Sequence, residues 1–274
     1  MSTLTEISSP ARLYGDLAGE SFGGAGEAPL ILVHGLTFNR RQWSPLIAAL
    51  GAVGFRRRII AFDLPGHGDS PEQPSYRAAD VVQVLHRAAV EAGIAGSGQA
   101  APVVVGHSIG AVLATAYAAA YPAEAVVNID QPLRAEGFAR MLRGMEPVLR
   151  SPDFGSVWES LVAGMGVDEL PAEARQLIRT GTTPRQDLLL GYWDELLTLP
   201  FDEIERRRGQ ELETVRAKGV AYHHISGYDL DPAYSAWFRE ALPDATITVL
   251  PGGGHFPHLA HPDQLARILD GSQI

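Results

Sequence analysis

Val103-Val104-Val105-Gly106-His107-Ser108-Ile109-Gly110, running on into the alanine-rich stretch Ala111 to Tyr121, is the segment that decides how this chain folds. A short, continuously apolar run reads as a strand buried on both faces, and the stretch after it reads as a helix. Between them lies G-x-S-x-G, a turn that carries a serine at its tip and has the form of a nucleophile elbow. Small residues flank the serine because the turn forces its backbone into a strained conformation that larger neighbours would obstruct. The five-residue pattern alone also fits a glycine-flanked turn with a solvated serine. The strand before it and the helix after it make Ser108 the candidate nucleophile.

Working outward, Leu30 to Val33 is a second wholly apolar run, and residues 11–21 read as the edge of a sheet followed by a glycine-rich turn at Gly23-Gly24-Ala25-Gly26. Further strands are expected at Arg58 to Phe62, Ala125 to Ile129, Val220 to Ile225 and Thr246 to Leu250. Helical patterns separate them at about 41–50, 77–93, 109–121, 233–242 and 262–270. Strands alternating with helices imply an α/β fold with a mostly parallel, doubly wound sheet. The alternation breaks between 131 and 215, where the pattern is amphipathic and helical and is punctuated by Pro132, Pro152, Pro171, Pro184 and Pro200. Residues 1–130 and 216–274 therefore read as one core and 131–215 as a helical cap inserted into it. Candidate lining residues of that cap are Trp158, Trp193, Phe138, Leu161, Met141 and Met145, which would suit a small or medium hydrophobic substrate. Most of these side chains also fit simple packing between helices.

The chain has 274 residues, 46% of them hydrophobic and 20% charged, which suits one large soluble domain. Its formal net charge of −10 argues against a nucleic-acid or anionic-membrane partner and leaves a small molecule as the expected one. Lys218 is the only lysine, and there is no cysteine, which removes disulfides, thiolate metal sites and a cysteine nucleophile. Met1 to Glu6 has neither the basic nor the apolar part of a signal peptide, and no apolar run approaches membrane-spanning length, so a cytoplasmic protein is expected. No P-loop or dinucleotide fingerprint is present, and no cofactor is implied. The oligomeric state is not legible.

A serine hydroxyl needs a base within hydrogen-bond reach and an acid to orient it. Of nine histidines, His255 is best placed. It follows the last expected strand in Pro251-Gly252-Gly253-Gly254-His255-Phe256-Pro257-His258, where three glycines free the loop to carry an imidazole over the sheet edge. His258 and His261 follow at threes, but Pro257 and Pro262 prevent the single helical face that a metal site would need.

These segments resemble the α/β-hydrolase fold over nearly the whole chain. Besides the elbow, the likeness is carried by His34-Gly35-Leu36-Thr37 after the first apolar strand, by Asp63-Leu64-Pro65-Gly66-His67-Gly68-Asp69-Ser70, and by the His255 loop. The resemblance implies an oxyanion hole made by the backbone N–H groups of Leu36 and Ile109, with His34 and His67 supporting loops. It also implies an acid between Ser108 and His255 in chain order. Three aspartates qualify. The usual place is the loop after the strand at 220–225, where Asp229 falls one residue short of the family spacing from Gly227 and Asp231 one beyond it. Asp130, in Asn128-Ile129-Asp130-Gln131-Pro132, ends the earlier strand from which some relatives, zearalenone lactonase-like enzymes among them, take an acidic residue followed by proline. A serine at the elbow argues against the dehalogenases and epoxide hydrolases of this fold, which need an aspartate there. Ester or lactone hydrolysis through an acyl-enzyme is the first expectation. Carbon–carbon bond hydrolysis, cofactor-free haloperoxidase activity, lyase chemistry and a ligand receptor with a slow or vestigial triad are the alternatives.

Overall fold

The computed structural model describes residues 9–24 and 28–271. The leader reading at Met1 to Glu6 and part of the glycine-rich turn, Ala25 and Gly26, lie outside the described residues.

One eight-stranded sheet organises the chain. Its strands are β1 (Ser9–Tyr14), β2 (Leu17–Phe22), β3 (Leu30–Val33), β4 (Ile59–Phe62), β5 (Val103–His107), β6 (Ala125–Ile129), β7 (Ala221–Ser226) and β8 (Thr246–Val249). They lie in the order β1-β2-β4-β3-β5-β6-β7-β8. β1, β2 and β4 pair antiparallel, and every pair from β4 to β8 is parallel. The edge expected as one segment over 11–21 is a hairpin, because Gly15 takes a positive φ of 57° and turns the chain back on itself.

β3, β4, β5 and β6 are buried along their whole length, as the predominantly apolar strands of a parallel sheet are. Alternation along the strands sorts their side chains between two layers. Leu30, Leu32, Val103, Val105 and Val127 meet Leu46 and Leu50 of α1 (Ser44–Ala52) and Leu265 and Leu269 of α11 (Pro262–Asp270). Ile31, Val33, Val104 and Val126 face the other way. There they meet Val81 and Leu85 of α2 (Ala78–Glu91), Leu113 and Tyr117 of α3 (Ile109–Ala120), and Phe238 of α10 (Pro232–Ala241).

Between β6 and β7 the chain is mostly helical. It forms α4 (Glu136–Leu149), α5 (Phe154–Ala163), α6 (Ala172–Gly181), α7 (Gln186–Tyr192), α8 (Asp194–Thr198) and α9 (Phe201–Ala217). α9 runs past 215 and packs on α3, with Leu212 and Val215 buried in the core cluster, so the end of the insertion is anchored in the core. From β3 the chain moves to one side to form β4 and then to the other to form β5. The crevice between the carboxyl ends of β3 and β5 is therefore the topological switch point, where sheets of this kind hold ligands. Leu36 and Ser108 follow those two strands.

Candidate active site

Ser108 sits between β5 and α3 with φ 55° and ψ −126°. Only three non-glycine residues among those described have positive φ, namely Thr37, Ser108 and Asp130, and each stands just beyond the carboxyl end of a strand at this crevice. The elbow's two glycines are dictated by space. A Cβ at Gly106 would lie 2.1 Å from the Gly110 carbonyl oxygen, and one at Gly110 would lie 2.3 Å from the Val33 carbonyl oxygen. α3 can start this close to β3 and β5 only if neither position carries a side chain. As the first residue of α3, Ile109 has a backbone N–H with no intrahelical acceptor, and neither this group nor the Leu36 N–H donates to any described residue. Both residues line the cavity that holds Ser108.

His255 meets Asp130. The distance from His255 Nδ1 to Asp130 Oδ2 is 2.8 Å, with Asp130 buried and His255 largely so. Asp130 Oδ1 accepts from the Gly227 N–H at 3.1 Å and lies 3.1 Å from the Ser226 hydroxyl. Burial pushes the Asp130 carboxyl up, but the hydrogen bond and charge of His255, together with Gly227 and Ser226, outweigh it and hold the pKa below the ordinary carboxylate value. Asp130 is thus an anion that fixes the Nδ1–H tautomer of His255 and leaves Nε2 free to take a proton. Ser108 and His255 line the same cavity. Their hydroxyl–imidazole hydrogen bond is not formed in this arrangement, and such contacts commonly tighten only with substrate present.

The two other candidate acids stand elsewhere. Asp229 is exposed and makes no contact with His255, because the start of its loop, Ser226 and Gly227, is committed to the Asp130 carboxylate. Asp231 caps α10, accepting from the Ala233 and Tyr234 amides. Trp158, Trp193, Phe138 and Leu161 line the cavity, whereas Met141 and Met145 do not. Met141 is instead an exposed residue of α4.

His34 and His67 hold the loop after β3. The Leu64 N–H donates to His34 Nε2 at 2.9 Å, and His34 Nδ1–H donates to the Gly35 carbonyl at 2.7 Å. His67 Nε2 accepts the Thr37 N–H at 3.1 Å. Burial lowers their pKa values to about 4 and about 3, so both act as neutral rings. The Asp63 turn is braced in the same way, since its carboxylate accepts the Arg40 and Asp69 amides and pairs with the Arg40 guanidinium.

One connection has no signature in the sequence. The Gly35 N–H donates to Gln42 Oε1 (3.0 Å), Gln42 Nε2 donates to His107 Nδ1 (3.1 Å), and His107 Nε2–H donates to the His255 carbonyl (2.8 Å). Buried Gln42 and His107 thereby link the loop after β3, the elbow and the histidine loop in one chain of hydrogen bonds. His107 was visible as the variable residue before Ser108, but nothing in the sequence singled out Gln42. His258 is buried against Trp43 and His107, and His261 donates to the Pro251 carbonyl.

The model of the alpha/beta hydrolase family matches residues 30–268. The chain belongs to the alpha/beta hydrolase family. It is 33% identical over 141 residues to lipase LipV of Mycobacterium tuberculosis, a match spanning 51% of this chain and 50% of LipV. It is 24% identical over 260 residues to the putative carbamate hydrolase RutD of Escherichia coli, spanning 89% of this chain and 86% of RutD. The structure of a thermophilic esterase from Thermogutta terrifontis superposes with a TM-score of 0.71 at 20% identity, covering 92% of this chain and 91% of the esterase, and shows the same fold. Among the described residues no helix is long and apolar enough to cross a membrane.

Proposed function

We propose that this protein is a serine hydrolase that cleaves an ester or lactone bond of a small to medium hydrophobic substrate through an acyl-enzyme. The observation that carries this reading is the 2.8 Å contact of His255 Nδ1 with buried Asp130, opening on the cavity that also holds Ser108 and the unpartnered Leu36 and Ile109 amides. In this mechanism His255 Nε2 takes the Ser108 proton as Oγ attacks the carbonyl carbon, and Asp130 stabilises the imidazolium that forms. The N–H groups of Leu36 and Ile109 hold the oxyanion, a contribution of about 100- to 1000-fold per donor. His255 Nε2–H then protonates the departing alkoxide, and the same nitrogen activates the water that frees the acid.

The cavity measures about 600 Å³, a size suited to small molecules. Its middle is apolar and aromatic, with Trp158 and Trp193 buried and Phe138 edge-on to Trp193 at 5.8 Å. In this reading the helices of 131–215 act as a cap that sets specificity. Three of their contacts tie them to the site's own loops: the His255 N–H donates to the Met165 carbonyl (2.9 Å), the Thr183 N–H to the Thr37 carbonyl (2.9 Å), and the Tyr192 hydroxyl to the Pro65 carbonyl (3.0 Å).

The reading is tested by pre-steady-state kinetics with p-nitrophenyl esters. A burst of nitrophenolate equal to the enzyme concentration, followed by slower turnover and abolished in Ser108→Ala, is the expected result. Turnover that survives Ser108→Ala would overturn it.

A further inference from the structure

The cavity is not apolar throughout. Beyond the tryptophans its wall is formed by α9, which contributes Arg207, Arg208, Gln210, Glu211 and Thr214. Three arginines line the cavity, and they differ in how they are used. Arg207 is committed to Glu195 and Glu203 and is half exposed, and Arg134 is half exposed beside Glu205 and the Trp237 ring. The side chain of Arg208 is only 13% exposed, and its one hydrogen bond runs from Nη1 to Glu211. Its Nε is buried with no acceptor, and no described residue accepts from Nη2.

A guanidinium presents its donors as a rigid fork that matches the two oxygens of a carboxylate. Arg208 leaves most of that fork without an acceptor, a costly state for a buried donor. Burial pushes the Glu211 carboxyl up against the opposing pull of Arg208, which weakens it as a counter-ion. The position suits a substrate bound at Ser108. Lys218, just past the end of α9, donates to the Ala118 and Ala119 carbonyls at the end of α3, so the two packed helices finish together. Arg208 stands near the buried Tyr222 hydroxyl, which bonds Thr115 Oγ1 about 9 Å along α3 from its first residue, and it shares its cavity with Ser108.

We propose that Arg208 forms a subsite for a carboxylate carried by the substrate, so that the preferred ester is an anionic one whose carboxylate is separated from the scissile carbonyl by a chain of several bonds. This rests on the reading of the cavity as a hydrolase site. With Nη1 committed to Glu211, the donors that remain suit the small planar group of a carboxylate. The chain's net charge of −10 repels anions at long range, so any preference for them arises locally, at this wall.

The test compares p-nitrophenyl half-esters of butanedioate through octanedioate with the p-nitrophenyl esters of the matching monocarboxylic acids. At the best chain length, kcat/KM should favour the half-ester by about tenfold or more, and in Arg208→Met the ratio should fall towards one. In Glu211→Gln, which removes the competing carboxylate, the ratio should rise. The same comparison is made by calorimetric binding of the monomethyl half-esters and the matching methyl esters to Ser108→Ala. Anion preference in binding without any turnover would contradict the acyl-transfer reading and support this subsite. A wild-type ratio at or below one at every length, or a ratio that survives Arg208→Met, would overturn it. If Arg208→Met does not fold, as judged by circular dichroism and thermal melting, Glu211→Gln decides: an unchanged or lower anion preference overturns the proposal.

Discussion

Asp130 shows what a single residue's surroundings decide. Three aspartates were compatible with chain order, and spacing alone left Asp229 and Asp130 level. What separates them is three-dimensional. Asp130 turns inward through a positive φ of 52° and collects the Gly227 amide and His255, whereas Asp229 stays on the exposed part of its loop. A sequence lists both carboxylates but does not say which loop spends its donors on the other. Asp130→Asn should lower kcat/KM for a p-nitrophenyl ester by about four orders of magnitude, because an amide in place of the carboxylate supports the wrong imidazole tautomer. Asp229→Asn should stay close to wild type. The reverse pattern in steady-state kinetics would assign the acid to the loop after β7. Ser108 and His255 stand out in the sequence because a strained turn and a glycine-rich loop each leave a local signature, whereas the strand-end position of Asp130 marks it no more strongly than its rivals.

At the scale of elements, legibility follows burial. β3 and β6 coincide with their expected runs to the residue, since a strand covered on both faces is almost wholly apolar, and the one polar side chain in β6, Asn128, is hydrogen-bonded to Gln131 and Tyr222. The hairpin at the sheet edge was less clear, because its two short strands carry only a weak alternation and a Gly15-Asp16 turn. α3 is held to the sheet more tightly than its composition suggests, and its first turn is where this can be measured. Gly110→Ala places a methyl 2.3 Å from the Val33 carbonyl oxygen, a backbone atom that cannot rotate away. We expect it to cost about 2–4 kcal/mol in urea unfolding and to reduce acylation, since the amide of Ile109 moves with the helix. Unchanged stability and activity would mean that α3 tolerates displacement and that the elbow is less constrained than its geometry indicates.

For the whole molecule, the buried histidines set the response to acid. Burial lowers the pKa of His34 and His224 to about 4 and of His67 and His258 to about 3. In the unfolded chain these rings titrate near 6.5, so acidification protonates the unfolded state first. Each ring withdraws about 1.4 kcal/mol of stability per pH unit between 6.5 and its folded value. Asp130, depressed in the fold, acts in the same direction in a lower window: its contribution is present above the ordinary carboxylate pKa and is lost as pH falls below it. The urea midpoint should therefore decline steadily from pH 7 to pH 5, and a flat midpoint over that range would contradict the neutral, buried state of these rings. The α/β architecture that buries them was readable from alternating runs, while the pairing of His34 with the Leu64 amide and of His67 with the Thr37 amide was not, since those partners are far apart in the chain. The central claim, that Ser108 is an activated nucleophile served by His255 and Asp130, is tested most directly by intact-mass spectrometry after exposure to a fluorophosphonate. Wild type should gain one phosphonyl group, and Ser108→Ala should gain none. A folded wild-type protein that takes up no label, or a label that persists in Ser108→Ala, would contradict it.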